Sequence, residues 1–192
     1  SYSPNGIIGE KDACGVGFIA NIKGVESNWI LKQSLKGLNC MEHRGGCGGD
    51  SDSGDGAGIL CSIPWEYLEE KMNLKNTKES NRGLGMIFMP NKKEKIEECK
   101  SICEEEAKKL RINKTSWRTV PVNNEILGPL AKANAPFISQ WILFINKKDN
   151  DDIEKILFQL RKRIEKKIRE SFKNHVGDCE FYFASLSSQT VV

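Results

Sequence analysis

Histidine is nearly absent from this chain: His43 and His175 are the only two among 192 residues. A nucleophile that needs an imidazole to take its proton therefore has just two partners to choose from. The seven cysteines, at 14, 40, 47, 61, 99, 103 and 179, are odd in number, contain no C-x-x-C pair and have no zinc-like spacing with histidine. Such a set predicts a reducing compartment, no disulfide framework and no metal in this segment. No apolar run approaches the roughly 18–20 residues of a membrane span, and the N-terminus lacks a basic stretch followed by an apolar one. Neither a membrane partner nor secretion is expected. Charge of one sign is lacking too. With 29% charged residues the balance is only +3, so no bulk field points to nucleic acid. The length fits one large domain, or one and a half, with ample chain for a core.

Against these absences one stretch stands out, Asp12-Ala13-Cys14-Gly15-Val16-Gly17-Phe18-Ile19-Ala20. Cys14 sits at the mouth of a short apolar run, between a small residue and a glycine, with nothing bulky to shield its sulfur. A free thiol has a pKa of about 8.5, so a base must take its proton at neutral pH. An α-amino group, with a pKa of about 7.7–8, is a competent base there. If the Ala13–Cys14 bond were cut, Cys14 would carry that amine itself and would need no histidine, and residues 1–13 would be a leader. The alternative is a structural cysteine buried at the edge of a strand, a common place for free cysteine.

Downstream, Lys23-Gly24 predicts a turn and Asn28 the N-cap of a helix to about Met41, with Ile30, Leu31, Leu35 and Leu38 toward a core. Between Glu42 and Gly58 seven of seventeen residues are glycine, which lets the backbone turn tightly. This loop does not fit a phosphate cradle, because it lacks Gly-Lys-Ser/Thr and carries three aspartates. Nor does it fit a calcium loop, since counting from Asp50 the sixth position is Asp55 and the twelfth Cys61. It either shapes a pocket beside the first strand or is a solvated surface loop.

Strands are expected over Ala57–Ile63, Gly83–Met89, Trp117–Val122 and Ile138–Ile145, the first two stopped by Pro64 and Pro90. Helices are expected over Trp65–Met72, Asn91–Leu110 and from Ile153 to Phe172, with Gly128-Pro129 as a turn or short connection. The last helix carries Lys and Arg on the faces away from its apolar seam, so it is either an ordinary packed helix or a basic amphipathic one for a membrane or partner. Cys179–Ser185 and Gln189–Val192 read as two arms of a hairpin, and an ending in mid-strand suggests an incomplete sequence. Strands interleaved with long one-faced helices predict a layered α+β domain, with the helices outside two stacked sheets.

The motifs together carry a resemblance that composition does not supply. Asp12 to Phe18, then Glu42-His43-Arg44-Gly45-Gly46-Cys47-Gly48 and Ser53-Gly54-Asp55-Gly56-Ala57-Gly58, resemble the start of the large subunit of the glutamate synthases. Trp117-Arg118-Thr119-Val120-Pro121-Val122, the Leu-Arg-Lys-Arg-Ile-Glu of 160–165, and Phe181-Tyr182-Phe183-Ala184-Ser185-Leu186-Ser187-Ser188 follow in the same order. The resemblance covers nearly the whole chain. It implies a class II glutamine amidotransferase (glutaminase) domain over 14–192, in a four-layer αββα sandwich of the N-terminal-nucleophile type, preceded by a leader over 1–13.

The resemblance further implies that Cys14 is the nucleophile, which attacks the side-chain amide of glutamine, releases ammonia and passes through a γ-glutamyl thioester. Arg44 matches an arginine close to the nucleophile strand, where a fixed cation orients main-chain groups or favours thiolate. Gly45 and the Gly54-Asp55-Gly56 turn match the loop packed behind it, and His43 is read as structural. The residues that grip glutamine and form the oxyanion hole are expected downstream of Val192. No cofactor is expected in this segment; FMN and an iron–sulfur cluster are implied for the parent enzyme, whose remaining domains are the implied partners. Cytosol and plastid both fit. Two other readings stay open: another class II amidotransferase, of the glucosamine-6-phosphate or purine-pathway type, and a binding or scaffold module with an inert cysteine.

Overall fold

In a computed structural model of the chain the described residues are 15–41, 53–54, 56–74, 81–145, 152–172 and 181–192. They fall into two compact units, one from the segments up to Ile59 with Asn124–Asn134, the other from Leu60–Asn123 with Ala135–Val192. In chain order the elements are α1 (Asn28–Asn39), β1 (Cys61–Ser62), α2 (Trp65–Met72), β2 (Asn81–Met89), α3 (Lys93–Lys109), β3 (Lys114–Thr119), a 3-10 turn (Asn124–Ile126), α4 (Pro129–Ala133), β4 (Phe137–Ile145), α5 (Ile153–Ser171), β5 (Tyr182–Ser187) and β6 (Thr190–Val191).

The second unit is built on an antiparallel sheet ordered β3-β4-β2-β5. Its centre is the nine-residue register of β2 on β4, from Asn81 opposite Ile145 to Met89 opposite Phe137. Successive strand residues point to opposite faces, and β4 is apolar on both. Trp141, Leu143 and Ile145 turn to one face with Ile87 and Met89, where α3 and α5 bury Ile96, Cys99, Cys103, Ala107, Leu157, Leu160, Ile164 and Ile168. Ile142 and Phe144 turn to the other with Leu84, where Ile63, Leu68 and Val191 cover them. One face thus carries a helical layer and the other the small antiparallel β1–β6 sheet with α2. Each fully buried Leu or Ile contributes about 1.5–3 kcal/mol.

The helical layer lies unusually close to the sheet at one point. A Cβ on Gly83 would stand 2.8 Å from a methyl of the buried Leu157, so the absent side chain is what lets α5 settle there. Trp117 stacks on Trp141 with ring centroids 5.1 Å apart. Trp117 donates its indole N–H to Glu104 at 3.0 Å, whereas the buried Trp141 N–H has no partner among the described residues. Between the helices, the nearly buried Glu106 carboxylate takes Arg163 Nε at 2.8 Å on one oxygen and Lys109 on the other.

Most expected elements are present, and the differences have physical reasons. The helix after the first turn is capped by Ser27, not Asn28: Ser27 is extended and its Oγ accepts from the Ile30 N–H at 3.4 Å. Its apolar stripe is not buried, and Leu31 and Leu35 are exposed. The apolar run after Cys14, expected as the first strand, forms none among the described residues 15–21, with Val16 and Phe18 over 90% exposed. The strand expected over Ala57–Ile63 is reduced to Cys61–Ser62, the part that β6 pairs.

The hairpin expected at the end is not one either: β5 pairs with β2, and β6 with β1. The corner between them is held by Glu154, one of whose oxygens accepts from Ser188 N at 2.7 Å, Ser188 Oγ at 2.7 Å and Ser187 Oγ at 3.2 Å. Ser187 Oγ in turn accepts from the N–H groups of Gln189 and Thr190. Side-chain oxygens thereby replace a strand partner and direct the chain to the other sheet. The apolar seam of α5 is spent in the core, so the membrane reading of that helix does not hold. No helix among the described residues is long and apolar enough to cross a membrane.

Two predictions follow the packing. Helix α3 ends with Ile112 N bonded to Ala107 O and Arg111 N to Lys108 O, which places Arg111 at φ 62 in the left-handed position that glycine prefers. Arg111→Gly should raise stability by about 0.5–1 kcal/mol, read as a higher urea midpoint at unchanged m-value. For Glu106, burial pushes the carboxyl pKa up, but hydrogen bonds and charge from Lys109 and Arg163 outweigh it and hold the group below its ordinary value. Its stabilisation is complete above the unfolded carboxylate pKa of about 4.3 and is lost as pH falls through the lower folded value. Glu106→Gln should therefore lower the urea midpoint at pH 7 and reduce its fall on acidification below about pH 4.3.

Candidate active site

Cys14, Arg44 and Gly45, with His43, lie outside the described residues, as does Asp55 of the Gly54-Asp55-Gly56 turn. The structure describes the segments that flank them. After Cys14, residues 15–21 belong to no helix or strand, and the chain then turns: Gly24 donates to the Asn21 carbonyl at 2.9 Å with φ 69, and Lys23 N–H to the Asn21 side chain at 2.8 Å. Asn21 and Gly24 close the turn that the Lys23-Gly24 pair predicts, with glycine where φ is positive.

Within the glycine-rich stretch, Ser53 is buried and its Oγ accepts from the Ala131 N–H at 3.0 Å. Ala131 is the third residue of α4, whose first turn has orphan N–H groups. Pro129 at the first helical position fits the same logic, since it brings no N–H to satisfy. A serine 78 positions upstream thus caps the helix, and the glycine-rich stretch is tied down at Ser53. Gly56 has φ +84 with open space around it; the backbone angle alone requires glycine.

Sequence reasoning missed Ser53, because a cap normally lies next to its helix and the only local signal was Gly128-Pro129. It also missed Glu154, which has no motif.

The described cysteines contrast with Cys14. Cys99 and Cys103 are fully buried in α3, and burial foremost, then the neighbouring Cys99 and Glu104, pushes the Cys103 thiol well above its ordinary pKa. A thiol held protonated in a core is a poor nucleophile. Cys40 is exposed beyond α1 and Cys61 sits in β1. Among the described residues no group of three His, Cys, Asp or Glu side chains is placed to hold a metal ion.

Comparison with known proteins decides the family, because the class II glutamine amidotransferases match residues 14–192. The chain belongs to that family. The match begins at Cys14 itself. Among its relatives, the chloroplastic ferredoxin-dependent glutamate synthase of Oryza sativa subsp. japonica is 42% identical over an alignment that covers 98% of this chain and 12% of the relative. Ferredoxin-dependent glutamate synthase 1 of Arabidopsis thaliana is 42% identical over 97% of the chain and 12% of its own length. Ferredoxin-dependent glutamate synthase 2 of Synechocystis is 39% identical, with the same two coverages. The chain thus spans about an eighth of these relatives and aligns with them nearly end to end.

For this amidotransferase chain the Ser53 cap is a measurable tie. Ser53→Ala should cost about 1 kcal/mol locally, so exchange of the Ala131 amide should speed up about fivefold while amides of β2 and β4 stay unchanged.

Proposed function

We infer that this chain is the leading part of the glutaminase domain of a glutamate synthase, with Cys14 as its nucleophile. The observation that carries the reading is the family match beginning at Cys14, together with near-complete alignment to ferredoxin-dependent glutamate synthases. Residues 1–13 are then a leader whose removal frees the Cys14 amine. The helical layer, the four-stranded sheet and the β1–β6 pair support a four-layer αββα sandwich.

The chemistry follows from that amine. It takes the Cys14 proton, directly or through a water, and Sγ attacks the side-chain carbonyl carbon of glutamine. The C–N bond breaks, the proton passes to the departing nitrogen, and ammonia leaves a γ-glutamyl thioester. Water then attacks the same carbon, the C–S bond breaks, and glutamate departs as the thiol is restored. Per turnover, glutamine and water become glutamate and ammonia. By the family resemblance, Arg44 is assigned the role of the cation that favours thiolate and Gly45 a place in the supporting loop. The glutamine-gripping arginine and the oxyanion donors are assigned to polypeptide following Val192, as is the machinery that uses the ammonia. FMN and an iron–sulfur cluster belong to that remainder, where they supply electrons for adding ammonia to 2-oxoglutarate. A plastid or cytoplasmic setting agrees with the chloroplastic and cyanobacterial relatives.

The 192-residue chain with Ser1–Ala13 attached should release almost no glutamate from glutamine: its Cys14 nitrogen is an amide, and absent oxyanion donors cost about 2.7–4 kcal/mol of barrier. In the full-length protein, N-terminal sequencing should begin at cysteine, and a glutamine-analogue electrophile should label Cys14. Cys14→Ala should abolish both labelling and glutamate release. Full activity with the leader retained, or no labelling of the processed protein, refutes the assignment and favours the inert scaffold.

A further inference from the structure

The corner between β5 and β6 hangs on a single carboxylate oxygen. Glu154, in the first turn of α5, accepts at Oε1 from Ser188 N, Ser188 Oγ and Ser187 Oγ. An ionised carboxylate has no proton to give, so the Ser187 hydroxyl donates to it. Its lone pairs are then left for the N–H groups of Gln189 at 3.0 Å and Thr190 at 3.3 Å. The amides of 188, 189 and 190 are thus all held by Glu154, one directly and two through a hydroxyl that it orients.

The strand that leaves this corner is short. β6 has two residues, Thr190 opposite Ser62 and Val191 opposite Cys61, and the Gln189 carbonyl accepts from the Ile63 N–H at 3.0 Å. A pairing of that length specifies its own register weakly. Side chains alternate faces along a strand, so a slip of one residue would turn Val191 out and everything after it to the opposite face. Val191 is instead buried with Ile63 and Leu68. Thr190 belongs to the corner and to the pairing alike, which makes the Glu154 contact the one that forbids the slip.

We propose that Glu154 is a positioning residue for glutamine hydrolysis: by locking the corner it sets the register of β6, and with it the facing of the polypeptide that continues from β6. This rests on the reading above, in which the groups that grip glutamine and stabilise its oxyanion lie in that continuation. Glu154 itself touches no substrate. What it supplies is an acceptor at a fixed place, not charge, because all three contacts are made to one oxygen. Glutamine at this position keeps an oxygen there, whereas alanine leaves one amide and two hydroxyls without their acceptor. Displacing substrate-positioning groups by about 1 Å from a distance costs about a hundredfold in rate.

The test uses full-length, processed protein, with glutamine as substrate and iodoacetamide as a small thiol probe whose products are mapped by mass spectrometry. Glu154→Ala should lower kcat/KM for glutamine by about ten- to a hundredfold, and Glu154→Gln should restore most of it. Iodoacetamide should label Cys14 as fast in Glu154→Ala as in the unmodified protein, because alkylation needs the thiolate and not the groups that follow β6. Cys99 and Cys103, fully buried in α3, should stay unlabelled, which excludes a loosened helical layer as the cause. Unchanged kcat/KM in Glu154→Ala, a glutamine variant as impaired as the alanine one, or Cys14 labelling that slows in parallel with hydrolysis overturns the proposal. Should Glu154→Ala expose Cys99 or Cys103, Ser187→Ala, which removes only the relaying hydroxyl, decides by the same criteria. Hydrolysis that survives Cys14→Ala is a different result: it removes the reading on which the proposal rests, and the proposal with it.

Discussion

The closing of α3 and α5 over one face of the β2–β4 pair is the constraint from which the described structure follows. Four strands alone would expose Trp141, Leu143 and Ile87 to water; two helices alone would expose their seams. Each solves the other's problem, and the fit is close enough that Gly83 has no room for a side chain beneath Leu157. Because interiors are packed to crystal-like density, this contact sets the height of α5, hence the place where Asp152 caps it, with its carboxylate accepting from the Lys155 N–H. It also sets where Glu154 meets the 187–189 corner.

Polar side chains settle what apolar packing leaves open. Burial does not tell a chain leaving β5 whether to fold back or to cross to a second sheet. Glu154 tells it, by accepting three hydrogen bonds from two serines. Glu106 serves similarly between the helices: a carboxylate there without Arg163 and Lys109 would leave a costly unpaired charge, so the two helices are held in one register. Ser53 performs the same service in the other unit, tying the glycine-rich stretch to α4. These ties join residues distant in sequence, and none has a local signature.

The chemistry assigned to the chain rests on a division of labour between its cysteines. Burial holds the Cys103 thiol protonated and so a poor nucleophile, whereas Cys14 stands in sequence between an alanine and a glycine. In the proposed reading the base is an amine on the same residue as the sulfur, which suits a chain with two histidines.

The sequence by itself determined the periodic elements and suggested the chemistry that is proposed for the chain. Proline stops after Ile63 and Met89, the i, i+3/i+4 seams of α3 and α5 and the doubly apolar run of β4 are local facts that backbone geometry turns directly into structure, so those boundaries were legible to within a few residues. The Cys14, Arg44 and Gly45 motifs are local facts of the sequence too; those residues lie outside the described ones, and the family match over residues 14–192 supports the family that the motifs suggested. Only the tertiary structure decided the strand order, the β5–β6 crossing, the cap from Ser53, and the exposure of the α1 stripe and the 15–21 arm. Those outcomes depend on which distant segment supplies a hydrogen-bond partner or a covering surface, and a residue's own neighbours in sequence hold no record of that.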